Sequence, residues 1–210
     1  MATAGTERLE IVRRGERLEY VTIGYNSLEA LIALVSGFIA GSIALVGFGF
    51  DSVIEVTSGA ALLWRLHHDS DPLARRRAET ITLQVVGVCF IALAVYVLVE
   101  SAECIAIHAA PERSIPGILL AAVSVVVMPI LARAKRGVAA GIGSAAMEAD
   151  ARQTDFCLYL SVILLAGLLL NALLGWWWAD PLAGLVMVPI ILREGWMALR
   201  GETCCSGACH

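Results

Sequence analysis

The sequence predicts an all-α integral membrane bundle of six transmembrane helices with both termini cytoplasmic. Three observations predict it. Hydrophobic residues make up 59% of the 210-residue chain and charged residues only 16%, which lies outside the balance of a soluble domain. Uncharged, mostly apolar runs of about 20 residues recur, the length a helix needs to cross a bilayer whose interior offers the backbone no hydrogen-bond partner. The basic residues, with one exception, fall on one side of the topology that those runs define.

The stretch from Ala30 to Phe50 carries no charge, and the charges flanking it make sense only if it is the middle of a hairpin. A first helix is therefore expected at about Tyr20 to Ala40 and a second at about Ser42 to Trp64, with a tight Gly41-Ser42 turn between them. Thr80 to Val99 and Ser114 to Ala132 are uncharged and read as the third and fourth spans. The fifth centres on the uncharged stretch Phe156 to Ala179 and starts upstream, near Met147; the sixth runs from about Trp178 to Leu199. Residues 1–19 are expected to form a cytoplasmic segment, 20–199 the membrane domain and 200–210 a Cys/His-rich cytoplasmic tail. No removable signal peptide is expected, because Glu7, Arg8, Glu10, Arg13, Arg14, Glu16 and Arg17 crowd the start without an apolar core and cleavage site.

With the N-terminus inside, the inner basic residues are Arg8, Arg13, Arg14 and Arg17, then Arg65, Arg75, Arg76 and Arg77, then Arg133, Lys135, Arg136 and Arg152, and finally Arg193 and Arg200. Of the 15 Lys and Arg, Arg113 alone is left outside, and an odd helix number would destroy that asymmetry. The expected location is the cell (inner) membrane, as a multi-pass protein. A net charge of -4 without a basic, aromatic-interleaved patch argues against a nucleic-acid partner. Trp176, Trp177 and Trp178 read as an aromatic anchor at the outer interface, His67 and His68 as interfacial, and Asp180 before Pro181 as a cap for helix six.

Ionisable groups inside a span cost about 2.5–3.5 kcal/mol each, so they mark a pathway or site. Asp51 and Glu55 lie well inside helix two at i, i+4 spacing, which puts both carboxylates on one face. Two acids so close in a low dielectric call for a shared cation, or else for protonation and a hydrogen bond between helices. On helix five, Asp150, Gln153, Thr154 and Cys157 share a face, and Gln153 and Cys157 repeat the four-residue spacing. Helices two and five run in opposite directions, so Asp51 should be level with Cys157 and Glu55 with Gln153, about 15 Å into the membrane. The candidate metal donors are thus Asp51, Glu55, Gln153 and Cys157, a mixture of hard oxygens and one soft thiolate that suits zinc rather than magnesium or calcium. Glu29, Asn26 and Asp150 are candidate pathway residues; Glu29 can equally belong to an interhelical hydrogen-bond stripe.

The segment Phe50-Asp51-Ser52-Val53-Ile54-Glu55 resembles the second-helix motif of the cation diffusion facilitators, whose paired acids stand four residues apart. Glu148-Ala149-Asp150-Ala151 and Ala179-Asp180-Pro181-Leu182-Ala183-Gly184, at the starts of helices five and six, extend the resemblance over nearly all of the six-helix region. The resemblance implies a proton-coupled exporter of zinc or a similar divalent ion, with alternating access around a midplane site. Members of the family typically supply His and Asp from helix five, where this chain has Gln153 and Cys157, so cadmium or another thiophilic ion is also open. The chain looks most like the short bacterial form lacking the C-terminal cytoplasmic domain.

The closing residues Cys204, Cys205, Cys209 and His210 can chelate a soft metal without any fold, or form a reactive tail. Glu100, Glu103, Cys104 and His108 gather at the outer end of helix three, where they read either as an exit site or as interfacial residues. No tightly bound cofactor and no enzymatic activity are expected. The partners are the transported metal, protons and the lipid bilayer, with homodimerisation left open. The alternatives are a metal-binding membrane sensor or interaction protein without transport, and, more distantly, an intramembrane protease, for which no second Asp lies at matching depth.

Overall fold

A computed structural model describes residues 2–67, 72–108, 111–143 and 145–200. Six α-helices make up these residues: α1 (Ala2–Ala40), α2 (Ile43–His67), α3 (Pro72–Ile107), α4 (Ile115–Ile142), α5 (Ala145–Leu174) and α6 (Ala179–Arg200). Each contains a stretch long and apolar enough to cross a membrane. The order and number match the sequence reading, but the helices outrun the apolar segments. At 39 residues α1 is about 58 Å long, well beyond a hydrocarbon core of about 30 Å. Hydropathy marks where lipid begins, whereas a helix continues until something stops it.

The stops are local. Gly41, at φ +63°, closes the α1–α2 turn in the left-handed region that favours glycine. Ser114 caps α4 by accepting a hydrogen bond from the Gly117 amide at 3.1 Å, and Gly143 ends the same helix in the left-handed region while its N–H bonds the Ala139 carbonyl. Alternation of direction gathers the start of α1, both ends of the α4–α5 connection and the end of α2 at one face of the bundle, where Ile11, Val12 and Leu18 pack against Leu62, Val138, Ala139, Ile142 and Met147. At the opposite face Glu112 donates its amide to the Ala40 carbonyl at 2.7 Å, Asn171 donates to the Pro111 carbonyl at 3.1 Å, and His108 lies against Trp177 with ring centroids 5.0 Å apart.

The closest pairings are α1 with α2, α3 with α6 and α4 with α5. Helix α2 also touches α3, α5 and α6, so it is the most enclosed span. Around it lies a core that includes Leu45, Phe48, Phe90, Met128, Leu160, Leu164 and Met187. Large apolar side chains such as Phe38, Ile39, Val126, Tyr159 and Leu173 point outward. In water such a surface would drive aggregation; in a bilayer it is the lipid face.

Candidate metal centre

Two glycines bring neighbours against the acid-bearing helix. A Cβ on Gly47 would come within 2.9 Å of Val97 on α3, and one on Gly49 within 2.8 Å of Leu34 on α1. Asp51 and Glu55 follow directly and are each 2% exposed, whereas Phe50 and Val53 face outward. The period of 3.6 residues thus separates a polar inner stripe of α2 from an apolar outer one.

Three other helices present polar groups to that stripe. From α1, Glu29 accepts hydrogen bonds from Ser52 Oγ on α2 at 2.8 Å and from Ser124 Oγ on α4, and Tyr25 joins its hydroxyl to Ser124 at 2.9 Å. From α5, Cys157 Sγ lies 3.9 Å from Glu29 Oε2 and also interacts with the Asp51 carboxyl. One turn earlier on α5, Thr154 donates to Glu55 Oε1 at 2.8 Å. Asn26 of α1 is fully buried beside Glu55. Glu194 of α6, half-buried, adds a negative charge within electrostatic reach of Asp51. The structure therefore brings Asp51, Glu55 and Cys157 together and adds Glu29 and Asn26. Among the described residues no three His, Cys, Asp or Glu side chains converge closely enough to hold one ion as they stand. A shift of one helix against another would be needed to close the donors around a cation.

Gln153 and Asp150 are placed differently from the first-named donors. Gln153 is half-buried with its Nε2 unpartnered, and Thr154, one residue on, meets Glu55 in its stead. Asp150 is engaged by Lys135 of α4, and Lys135 Nζ also lies 3.6 Å from Glu19 Oε1 of α1. Asp180 caps not its own helix but α2: its carboxylate accepts from Ser42 Oγ at 2.5 Å and from the Ile43 amide at 2.9 Å. At the C-terminal end of α3, Cys104 is buried while Glu103 is exposed, and His108 packs on Trp177. The tail residues Cys204, Cys205, Cys209 and His210, expected either to chelate a metal or to form a reactive tail, lie outside the described residues.

Sequence reasoning put Thr154 on the polar face of helix five without making it a donor, missed Glu19, Ser124 and Lys135 as members of the buried polar set, and placed Lys135 in a loop. The signal was there in the period. Ala121, Ser124, Met128, Leu131, Lys135, Val138 and Ile142 repeat every three or four residues and are all buried, so Lys135 continues the inner stripe of α4 past the last uncharged residue. Together the buried groups form a ladder from Asp51, Glu29 and Cys157, through Glu55, Asn26 and Thr154, to Glu19, Lys135 and Asp150 near the end of the bundle that carries the N-terminus.

A buried polar ladder thus runs through a six-helix membrane bundle, and comparison with known proteins shows the family to which such a bundle belongs. The family model for the cation efflux transmembrane domain matches residues 20–201. The uncharacterized transporter YdbO of Bacillus subtilis is 26% identical over 196 residues, covering 90% of this chain and 67% of that protein. The chain therefore belongs to the cation efflux family, whose members are multi-pass membrane transporters and not enzymes.

Proposed function

We propose that this protein exports a divalent metal cation, zinc or a similarly thiophilic ion, in exchange for protons, by alternating access around a site between α2 and α5, with both termini cytoplasmic. The observation that carries the reading is the burial of Asp51 and Glu55 one turn apart on α2, with Cys157 of α5 beside Asp51. Carboxylate oxygens with a thiolate favour zinc or cadmium over hard cations. Glu29 and Asn26 from α1 are oxygen and amide groups at the same level, available as the helices shift. The ion bridges α2 and α5 while it neutralises their charge, and the shift opens the site to the other side.

The test is zinc flux into proteoliposomes. Asp51→Asn nearly preserves volume and removes one ionisable ligand, so the variant should insert and fold while flux falls at least tenfold. Flux at the wild-type level in this variant would remove the proposed site.

A further inference from the structure

The inner end of the ladder holds three buried carboxyl groups and one ammonium. Lys135 of α4 is 0% exposed; it hydrogen-bonds Asp150 Oδ2 of α5 and lies 3.6 Å from Glu19 Oε1 of α1. Glu55 of α2 is within electrostatic reach of Lys135, Asp150 and Glu19. Four helices thus converge on one charged cluster. Its acids outnumber its base, and its hydrogen bonds are incomplete. Both oxygens of Glu19, Oδ1 of Asp150 and Oε2 of Glu55 are buried with no hydrogen-bond donor in place: Glu19 stands beside Asp150 as one acceptor against another, and the Asn26 amide lies beside Glu55 outside bonding geometry. A lysine buried only to hold helices together would be matched one to one, with the remaining lone pairs satisfied, because an unpaired buried charge destabilises the fold strongly. The surplus of oxygens points to a second positive charge.

We propose that Glu19 and Asp150, with Glu55 one step toward the candidate metal centre, form a second cation site near the end of the bundle that carries the N-terminus, in which the Lys135 ammonium and a divalent cation compete for the same oxygens. As they stand no three acids among the described residues converge on one point, so the pair Glu19 and Asp150 receives the ion and Glu55 closes on it by the helix shift that the metal centre also needs. This rests on the reading that the chain transports such a cation. The ammonium is a compact charge on a flexible four-carbon stem, so it can withdraw from Asp150 and return without moving the backbone. A divalent ion arriving from that end displaces Nζ and is held by Glu19 and Asp150. Glu55 belongs to both sites and passes the ion to Asp51 and Cys157. Return of Nζ to Asp150 then closes the path behind it, and the same competition keeps three carboxylates from trapping the ion.

Zinc titrations of the purified full-length protein in detergent test this, with an Asp51→Asn background isolating the inner site. Lys135→Met should tighten zinc binding at least tenfold in both backgrounds and slow flux in proteoliposomes, because release becomes limiting. Lys135→Arg, which keeps the charge, should retain wild-type affinity. Lys135→Met combined with Asp150→Asn removes one charge of each sign and should return affinity to near the wild-type value. Asp150→Asn alone, which keeps the falsifying arm open where Lys135→Met does not fold, should weaken zinc binding. A purely structural lysine predicts the opposite pattern: unchanged or weaker binding in Lys135→Met, no rescue in the double variant and no effect of Asp150→Asn, and that pattern would overturn the proposal. If Lys135→Met leaves affinity unchanged while Asp51→Asn abolishes flux, the competition falls and the transport reading stands. If the wild type neither binds nor carries zinc or cadmium, both fall together.

Discussion

Asp180 shows how one residue can serve an element it does not belong to. It opens α6, where a helix-starting acid ordinarily caps its own first turn, yet its carboxylate satisfies Ser42 Oγ and the Ile43 amide at the start of α2. Asp180 and Ser42 are both buried, so Asp180→Ala should cost about 1–3 kcal/mol, read as a lowered Tm in detergent, with Asp180→Asn costing less because one acceptor remains. An unchanged Tm would mean that water or Ser42 alone can cap α2. Cys157 is the soft member of the candidate donor set, so Cys157→Ser should lower cadmium transport more than zinc transport; equal losses of both would make the thiol a packing group. Asp51, Glu55 and Cys157 were legible in the sequence because a polar side chain inside an apolar run is costly in lipid and persists where it meets an ion or a partner helix. Glu19 and Lys135 were not, because beside a bilayer edge a charge reads as interfacial until the helical period is followed past the last apolar residue.

At the scale of elements, the number and order of helices were legible while their ends were not. The fourth apolar run stops at Ala132, but α4 continues to Ile142 because nothing breaks it until Gly143 turns left-handed. Helix pairing was equally hidden, since it depends on small residues that no hydropathy profile weights. In lipid, where apolar burial does not distinguish neighbour from solvent, close contact between backbones does much of the holding. Helices α3 and α6 are held this way: a Cβ on Gly87 would stand 2.9 Å from the Gly195 carbonyl oxygen, and one on Gly195 would stand 3.0 Å from Phe90 Cβ. A carbonyl in a helix cannot swing aside as a side chain can. Gly87→Val should therefore push α3 off α6 and cost about 1–3 kcal/mol, measured by thermal unfolding, and should weaken disulfide trapping between cysteines introduced on the facing sides of the two helices. Trapping at the wild-type rate would show that the two helices can separate there without loss.

For the whole molecule, the buried ladder and the charge distribution give the same direction. Six helices return the chain to the side on which it began, and 14 of the 15 basic residues fall on that side. If that side is cytoplasmic, the Glu19, Lys135 and Asp150 end of the ladder faces the cytoplasm and the Asp51 end leads outward. Metal and protons compete for the same carboxylates and thiol, because a ligand must lose its proton to bind the ion. Affinity should accordingly fall as pH falls, with protonation of Asp51, Glu55 and Cys157 from the outside expelling the ion there. In proteoliposomes oriented by selective labelling at the two termini, acidifying the compartment that faces the Asp51 end should accelerate zinc movement toward it, and acidifying the opposite compartment should slow it. Dissipating the gradient with a protonophore should return flux to the rate set by the zinc gradient alone. Flux indifferent to the direction of the gradient would remove proton exchange and leave the site intact; acceleration with the opposite polarity would invert the assigned orientation, with both termini then on the outer side.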